Sequence, residues 1–426
     1  MRVMKLRKRI RAALKWLTPG MGVKRWILLL ACGIALLTLG FDSLLRQFYP
    51  LPKVFYYATL QFIPRGLRAG LFGVLGLAAI VTALARLNRA LLAPFVANDP
   101  EAVANAIYHY RRRGRGPKVV AIGGGYGLSV LLRGLKRYTS NITAIVTVAD
   151  DGGSSGRLRR ELGVLPPGDL RNCIVALADD EALMTQLFQY RFGNGAGLDG
   201  HSFGNLFITA MAEVTGSCER AILESSKVLA IQGQVVPSTL HDVTLMADLR
   251  DETGLSRVSG ESHIPKVGGE IERVYLEPEG VPAYPGAVRA LLDADLIVAG
   301  PGSLYTSVLP NLLVPDIVQA IAASRALKVY VCNVATQCGE TEGYNAGDHV
   351  AALEAHVGSG LFPVVLANDN LDVDFQAPDG ATLVRPEFPP NTRYRVVTAD
   401  LVDPAQPRRH DSRKLARLLI RLVEEH

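Results

Sequence analysis

"KVVAIGGGYGLSVLLRGLKRY", residues 118–138, decides the fold. An apolar run ends at Ile122, glycines follow at 123, 124, 125 and 127, and helical periodicity sets in from about Leu128. Strand, glycine turn and helix in that order predict a parallel α/β unit. Its turn lets backbone approach a ligand, and its helix N-terminus presents N–H groups to a phosphate. The dinucleotide fingerprint wants a sixth-position glycine where Leu128 stands, so an NAD-type turn is disfavoured. No Gly-Lys-Ser/Thr closes the turn, so it is not a P-loop. Gly123, Gly124, Gly125 and Gly127 are therefore candidate phosphate-binding positions of a different type.

Downstream, "ITAIVTVADDGGSSGRLRRELGVLPPGDLRN" reads as a second strand with Asp150 at its carboxyl end. An acid there suits a ribose hydroxyl or a metal, and Asp150 is the one candidate metal ligand. Residues Asp151 to Ser155 are expected as an exposed polar loop, with Asp151 ordering it and Ser154 and Ser155 offering hydroxyls. Pro166 and Pro167 predict an extended turn ending at Asp169. In "HSFGNLFITAM", Asn205 near a helix start can offer an amide, whereas His201 reads as a turn residue or a base.

A second strand–turn–helix, "ADLIVAGPGSLYTSVLPNLLV", brings Gly300, Gly302 and Ser303 to the same sheet edge, with Thr306 in the next turn. Two such turns would flank a diphosphate. "VYVCNVATQCGETEGY" adds Asn333, Thr336, Gln337, Glu340 and Thr341, whose short polar groups suit sugar hydroxyls or a uracil ring. Near the end, Arg409 is a candidate phosphate contact. A helix capped by Asp411 or Ser412 follows, with Leu415, Leu418, Leu419 and Leu422 facing the core. The segment "LANDNLDVDFQAPDGATLVRPEF" is assigned no ligand residue.

Charge divides the chain. Residues 1–116 carry 19 Lys/Arg against 3 Asp/Glu, and the rest 27 against 37. The large acidic part is a poor partner for nucleic acid. Five cysteines without CxxC spacing exclude a disulfide framework or zinc site. The basic part holds two uncharged runs, 26–41 and 69–85. They predict a transmembrane hairpin over 26–89 behind a basic N-terminus (1–25), with both termini cytoplasmic in a cell-membrane protein. A short basic linker helix is expected over 90–116, starting at Asp99–Pro100 and stopping near Gly114. The nucleotide-binding domain is then 117–426.

The motifs GGGYGLSVLLRGL, VADDGGSSGRLRRELGVLPPGDLRN, HSFGNLFI, GPGSLYTSVLPNLLV, CNVATQCGETEGY and RHD run in an order that resembles the YvcK family of gluconeogenesis factors. That family is similar to the CofD 2-phospho-L-lactate transferases. The resemblance covers about 117–426 and leaves the hairpin outside. It implies a Rossmann-like, doubly wound, mostly parallel sheet. For the YvcK branch it implies binding of UDP-sugars such as UDP-N-acetylglucosamine or UDP-glucose and regulation of cell shape, envelope synthesis and carbon use. The CofD branch implies transfer of a phospholactyl-type group with a nucleotide and Mg²⁺. Two functions stay open: a membrane-anchored UDP-sugar-binding regulator, and a CofD-like transferase. Envelope-synthesis enzymes and a second copy of the chain are expected partners. No HExxH, GxSxG or CxxC supports hydrolase or redox chemistry.

Overall fold

A computed structural model describes residues 114, 116–178, 182–193, 197–252, 254–375, 377 and 379–426. It also describes the helix Arg65–Leu92 and a few positions before it. The chain divides into two compact units, Met1–Arg112 and Arg113–His426. In the first, the second apolar run (69–85) lies within the 28-residue helix Arg65–Leu92. The first apolar run and the linker helix fall, apart from isolated positions, outside the described residues. Among the described residues no single helix is long and apolar enough to cross a membrane.

The second unit is built on seven parallel strands. In chain order these are β1 (Val119–Gly123), β2 (Ile142–Val146), β3 (Gln234–Pro237), β7 (Leu296–Ala299), β8 (Leu327–Val331), β9 (Val364–Asn368) and β10 (Arg395–Ala399). Their spatial order is β10-β9-β8-β7-β1-β2-β3. Val119 pairs with Ile142 on one side and Leu296 on the other. All five β1 residues are buried, as a parallel strand covered on both faces requires. Alternation sends Val120 and Ile122 into one core and Val119 and Ala121 into the other.

The helices Gly125–Leu135, Pro167–Leu177 and Ser412–Glu425 fill the second of these cores. Pro285–Leu292, Pro315–Ala323 and Ala346–Val357 fill the first. A three-stranded antiparallel sheet, β5-β4-β6 (Gly254–Ser259, Thr244–Asp251, Glu270–Glu277), is inserted between β3 and β7. A short hairpin, β11 (Val402–Asp403) with β12 (Gln406–His410), precedes the last helix. Asp411 caps that helix, its carboxylate accepting from the amides of Arg413 and Lys414.

Strand order reverses at β1. The chain first winds outward through β2 and β3, then restarts at β7 on β1's other side. That is the switch point of a doubly wound sheet, where a crevice opens beyond the strands' carboxyl ends.

Candidate ligand-binding cleft

The two glycine turns meet at this switch point. The first helix begins inside the glycines, with Gly124 as N-cap and Gly125 its first residue, and not at Leu128. Gly125 has φ +59°, a conformation side chains resist, so the turn demands glycine there. Gly127 packs against the second turn: a Cβ would stand 2.5 Å from the Pro301 carbonyl oxygen.

The second turn rests on a polar chain. The Gly302 amide donates to Asn333 Oδ1 at 3.1 Å, Asn333 Nδ2 to Gln337 Oε1 at 3.2 Å, and Gln337 Nε2 to Ser303 Oγ at 2.6 Å. Gly302, Ser303 and Asn333 thus come together as the motif spacing predicts, whereas Gly300 donates its amide to the Ile122 carbonyl at the end of β1 and does not line the cavity. Thr336 lines the same cleft, although its amide and hydroxyl are tied to Thr382. Instead of an ordinary helix, Leu304–Val308 forms a π-turn running into Leu309–Leu312. Thr306 points inward from it and donates to Glu340 Oε1 at 2.9 Å, leaving buried Oε2 without a partner. Burial pushes the Glu340 carboxyl up to about 7 against the Thr306 hydrogen bond.

Between the turns lies a cavity of about 510 Å³, walled by the β11–β12 hairpin. Arg409, on β12, stacks its guanidinium 3.8 Å above the Tyr126 ring centroid, within the first glycine turn. Arg408 beside it pairs with Asp379 at 2.5 Å. His410 is buried. Burial lowers its pKa to about 4 against a hydrogen bond to the Cys332 carbonyl, and its Nε2 has no partner.

The acids differ from their expected places. β2 ends at Val146, four residues before Asp150. The expected loop from Asp151 to Ser155 is instead the start of a helix, Gly153–Leu162, whose Ser154 and Ser155 are buried. Packing overrides the low helix propensity of Gly-Gly-Ser-Ser. Asp150, not Asp151, orders this turn: its Oδ1 accepts from the Gly152 amide at 2.9 Å. Asp151 reaches away to the Ser262 amide at 2.8 Å.

Nor do Pro166 and Pro167 make an extended turn. Pro167 opens the helix Pro167–Leu177, a position where its missing N–H costs nothing. Asp169, in that first turn, is buried against the first glycine turn. A Cβ on Gly124 would lie 2.5 Å from its Oδ2, and its carboxylate accepts from the Gly125 amide. Burial, then the neighbouring Asp150, push Asp169 up to about 7. Glu261 also lines the cavity with an unpartnered Oε2. Burial, then Asp150 and Asp169, push it up to about 10.

Behind these acids the remaining candidates form a separate relay. Arg171 donates to Asn205 Oδ1 at 3.0 Å, and Asn205 Nδ2 to Ser154 Oγ at 3.1 Å. Ser154 Oγ lies 2.9 Å from His201 Nδ1. With Asn205 donating to it, the Ser154 hydroxyl keeps its own proton to give to His201 Nδ1 in the neutral ring. Burial first, then Arg157, lowers the His201 pKa, in keeping with that neutral ring. Ser154, Asn205 and His201 are therefore committed to one another, and Ser155 to Asp150.

Sequence reasoning missed Glu261, Tyr126 and Arg408. Glu261 belongs to no motif, and only the adjacent arginines at 408–409 hinted at a paired cation. Among the described residues no group of three His, Cys, Asp or Glu side chains is arranged to hold a metal.

A doubly wound parallel sheet with paired glycine turns and an arginine wall at its switch point defines a Rossmann-like α/β fold. The 2-phospho-L-lactate transferase CofD model matches residues 119–424. The chain belongs to that family, within its gluconeogenesis-factor branch. It is 47% identical over 433 residues to a putative gluconeogenesis factor of Nostoc sp., covering 97% of this chain and 93% of that one. It is 47% identical over 331 residues to the gluconeogenesis factor of Bacillus subtilis, covering 73% of this chain and all of that one. A crystal structure of a UPF0052-family protein from Bacillus halodurans superposes with TM-score 0.67 at 46% identity, covering 72% of this chain and 99% of that one. The likeness to the Nostoc protein reaches beyond residue 117 into the N-terminal segment, further than the motifs alone imply.

Proposed function

We propose that this chain binds a nucleotide sugar of the UDP-N-acetylglucosamine or UDP-glucose type and acts as a regulator, of cell shape, envelope synthesis and carbon use, rather than as a catalyst. The observation that carries the reading is the cleft itself. Two glycine turns stand at the ends of adjacent strands, a hydrogen-bonded Asn333–Gln337–Ser303 chain lines one side, and Arg408 and Arg409 close another. Amides and guanidinium groups suit a diphosphate, and the amide side chains suit hydroxyls.

The acidic floor requires an explanation, because Asp169 occupies the Gly125 amide that a phosphate would otherwise take. A divalent cation answers it. Mg²⁺ is commonly held by one or two carboxylates plus ligand oxygens, which fits Asp150 with Asp169 or Glu261 better than an all-protein cage. Such an ion would neutralise the diphosphate. The same acids favour the second reading, a CofD-like transferase that uses a nucleotide and Mg²⁺.

A thermal-shift screen of nucleotides, nucleotide sugars and phospholactate, with and without Mg²⁺, separates the two readings. Stabilisation by UDP-sugars without turnover supports the regulator. Release of nucleotide from a phospholactyl-nucleotide in the presence of an acceptor alcohol, assayed separately, supports the transferase.

The N-terminal segment is proposed as a transmembrane hairpin holding the large unit at the cytoplasmic face of the cell membrane. Its basic flanks and the uncharged run inside Arg65–Leu92 support this. Envelope-synthesis enzymes, and a second copy of the chain, are proposed partners. A reporter active only outside the cytoplasm, fused after residue 116, should stay silent; activity there rejects the hairpin.

A further inference from the structure

The last helix, Ser412–Glu425, has two unlike faces. Leu415, Ala416, Leu419, Ile420 and Leu422 are buried in the core beneath it. Arg413, Arg417 and Arg421, spaced four residues apart, form one exposed row on the other side. Among the described residues none of the three is paired with a carboxylate. Gly134 packs against Ser412 and Ala416 of this helix, and Arg137, three residues on from Gly134 and also exposed, extends the basic surface. We infer that these arginines dock the Arg113–His426 unit on anionic lipid headgroups. From the proposed membrane hairpin the inference takes only that a bilayer lies close by.

Three observations carry it. First, the chain enters the unit at this surface. Gly116 packs against Thr139, and Asn141 Nδ2 donates to the carbonyls of Gly114 and Gly116 at 3.3 and 2.8 Å. The segment arriving from the N-terminal unit is thus tied beside Thr139–Asn141, just after Arg137. Its sequence there is "RRRGRG", residues 111–116, with four arginines in six positions. Second, the charge runs against the trend of the unit. Residues 117–426 carry 27 Lys/Arg against 37 Asp/Glu, yet on this row only Glu424 and Glu425, in the last turn, oppose the arginines. Like charges four residues apart repel, a cost that a surface of anions removes. Third, the apolar face of the helix is committed to the core, so it cannot insert among acyl chains as a free amphipathic helix does. The contact is electrostatic and reversible. A bilayer fits this row better than nucleic acid does. No aromatic residue occurs between Ser412 and Glu425 for bases to stack on, and the acidic surplus elsewhere repels a long polyanion.

Co-sedimentation of the Arg113–His426 unit with lipid vesicles tests the assignment without the hairpin. The unit is compact by itself, and the solved Bacillus halodurans relative aligns over 99% of its length with only 72% of this chain, so the fold stands without the remainder. Vesicles of phosphatidylglycerol with phosphatidylcholine should carry the unit down, and pure phosphatidylcholine vesicles should not, with binding lost as salt rises. One arginine near an anionic surface contributes about fivefold, so Arg417→Gln alone should weaken partitioning by about that factor. Arg413→Gln, Arg417→Gln and Arg421→Gln together should weaken it roughly 100-fold. All three side chains are exposed, so the triple variant should keep the wild-type unfolding midpoint. The same loss of charge at Arg250, Arg257 and Arg289, on the inserted sheet and the helix Pro285–Leu292, should matter little. Equal binding to neutral vesicles, a triple variant that binds as wild type does, or a control triple that loses as much overturns the docking surface. So does a unit that ignores anionic vesicles yet binds a single-stranded polynucleotide through the same arginines. The topology of the hairpin is read separately, by the fusion reporter.

Discussion

Replacing Asp169 by asparagine should make the unliganded protein more stable, increasingly so as pH rises. Asp169 is 9% exposed, wedged against Gly124, with a carboxyl raised from 3.8 to about 7 by burial first and Asp150 second. An acid whose folded pKa lies above its unfolded value leaves stability intact below the unfolded pKa. It then removes stability as pH climbs through the folded one. The window therefore opens near pH 4 and closes just above pH 7.

A shift of about three units corresponds to roughly 4 kcal/mol at full development, at about 1.4 kcal/mol per unit. About half of this should already be present at pH 5.5. Asparagine is neutral throughout and its Oδ1 can keep the Gly125 hydrogen bond. The variant should therefore exceed wild type by about 2 kcal/mol at pH 5.5 and about 4 kcal/mol at pH 8. Urea unfolding followed by circular dichroism at both pH values measures it. An advantage that is absent, or that does not grow with pH, refutes the picture of a buried carboxylate held against its own charge.

Other consequences are simpler to state. Gly134→Ala would put a Cβ 1.9 Å from the Ser412 carbonyl oxygen, where the helix of the first glycine turn crosses the last helix. Overpacking of that kind should cost about 3 kcal/mol or more, read as a lower urea midpoint. Arg409→Ala should weaken nucleotide-sugar binding about 10- to 150-fold by calorimetry, the loss of a charged hydrogen bond. Asp150→Asn should weaken binding in Mg²⁺ and lose most of that effect in chelator, whereas Asp151→Asn, whose carboxylate accepts from the Ser262 amide, should matter little in either buffer.

The parallel sheet was legible because β1 and β7 are unbroken apolar runs, each followed at once by glycine. What sequence could not supply was where helices begin when tertiary contacts and not propensity decide. Gly-Gly-Ser-Ser has the composition of a loop, yet Ser154 and Ser155 are buried in a helix because Asn205 donates to the Ser154 hydroxyl, which pairs with His201 Nδ1, and Ser155 donates to Asp150. Pro166–Pro167 carries two signals at once, proline at a first helical position and an extended Pro-Pro turn, and the structure takes the first. The candidate residues also separate in space. Gly124, Gly125, Gly127, Gly302, Ser303, Asn333, Thr336 and Arg409 meet around one cavity, whereas Gly123 ends β1 and Gly300 bonds its Ile122 carbonyl, and Ser154 and Asn205 form a separate relay. Glu261 comes from the inserted sheet's far loop and shares no motif with the acids it faces. The Tyr126–Arg409 stack joins residues too far apart in sequence for any local pattern to link them.

That stack also has a consequence for how the protein is made. Tyr126 and Arg409 are about 280 residues apart, so at bacterial elongation speeds the glycine turn emerges from the ribosome roughly 15 to 60 seconds before the arginine that closes over it. Once Asp150, Asp169 and Glu261 have followed, the nascent chain carries the first turn and its acidic floor with no cationic wall until Arg408 and Arg409 emerge. The β11–β12 hairpin and the helix Ser412–Glu425, with Gly134 against Ser412, thus complete the cleft only after the sheet strands have been made.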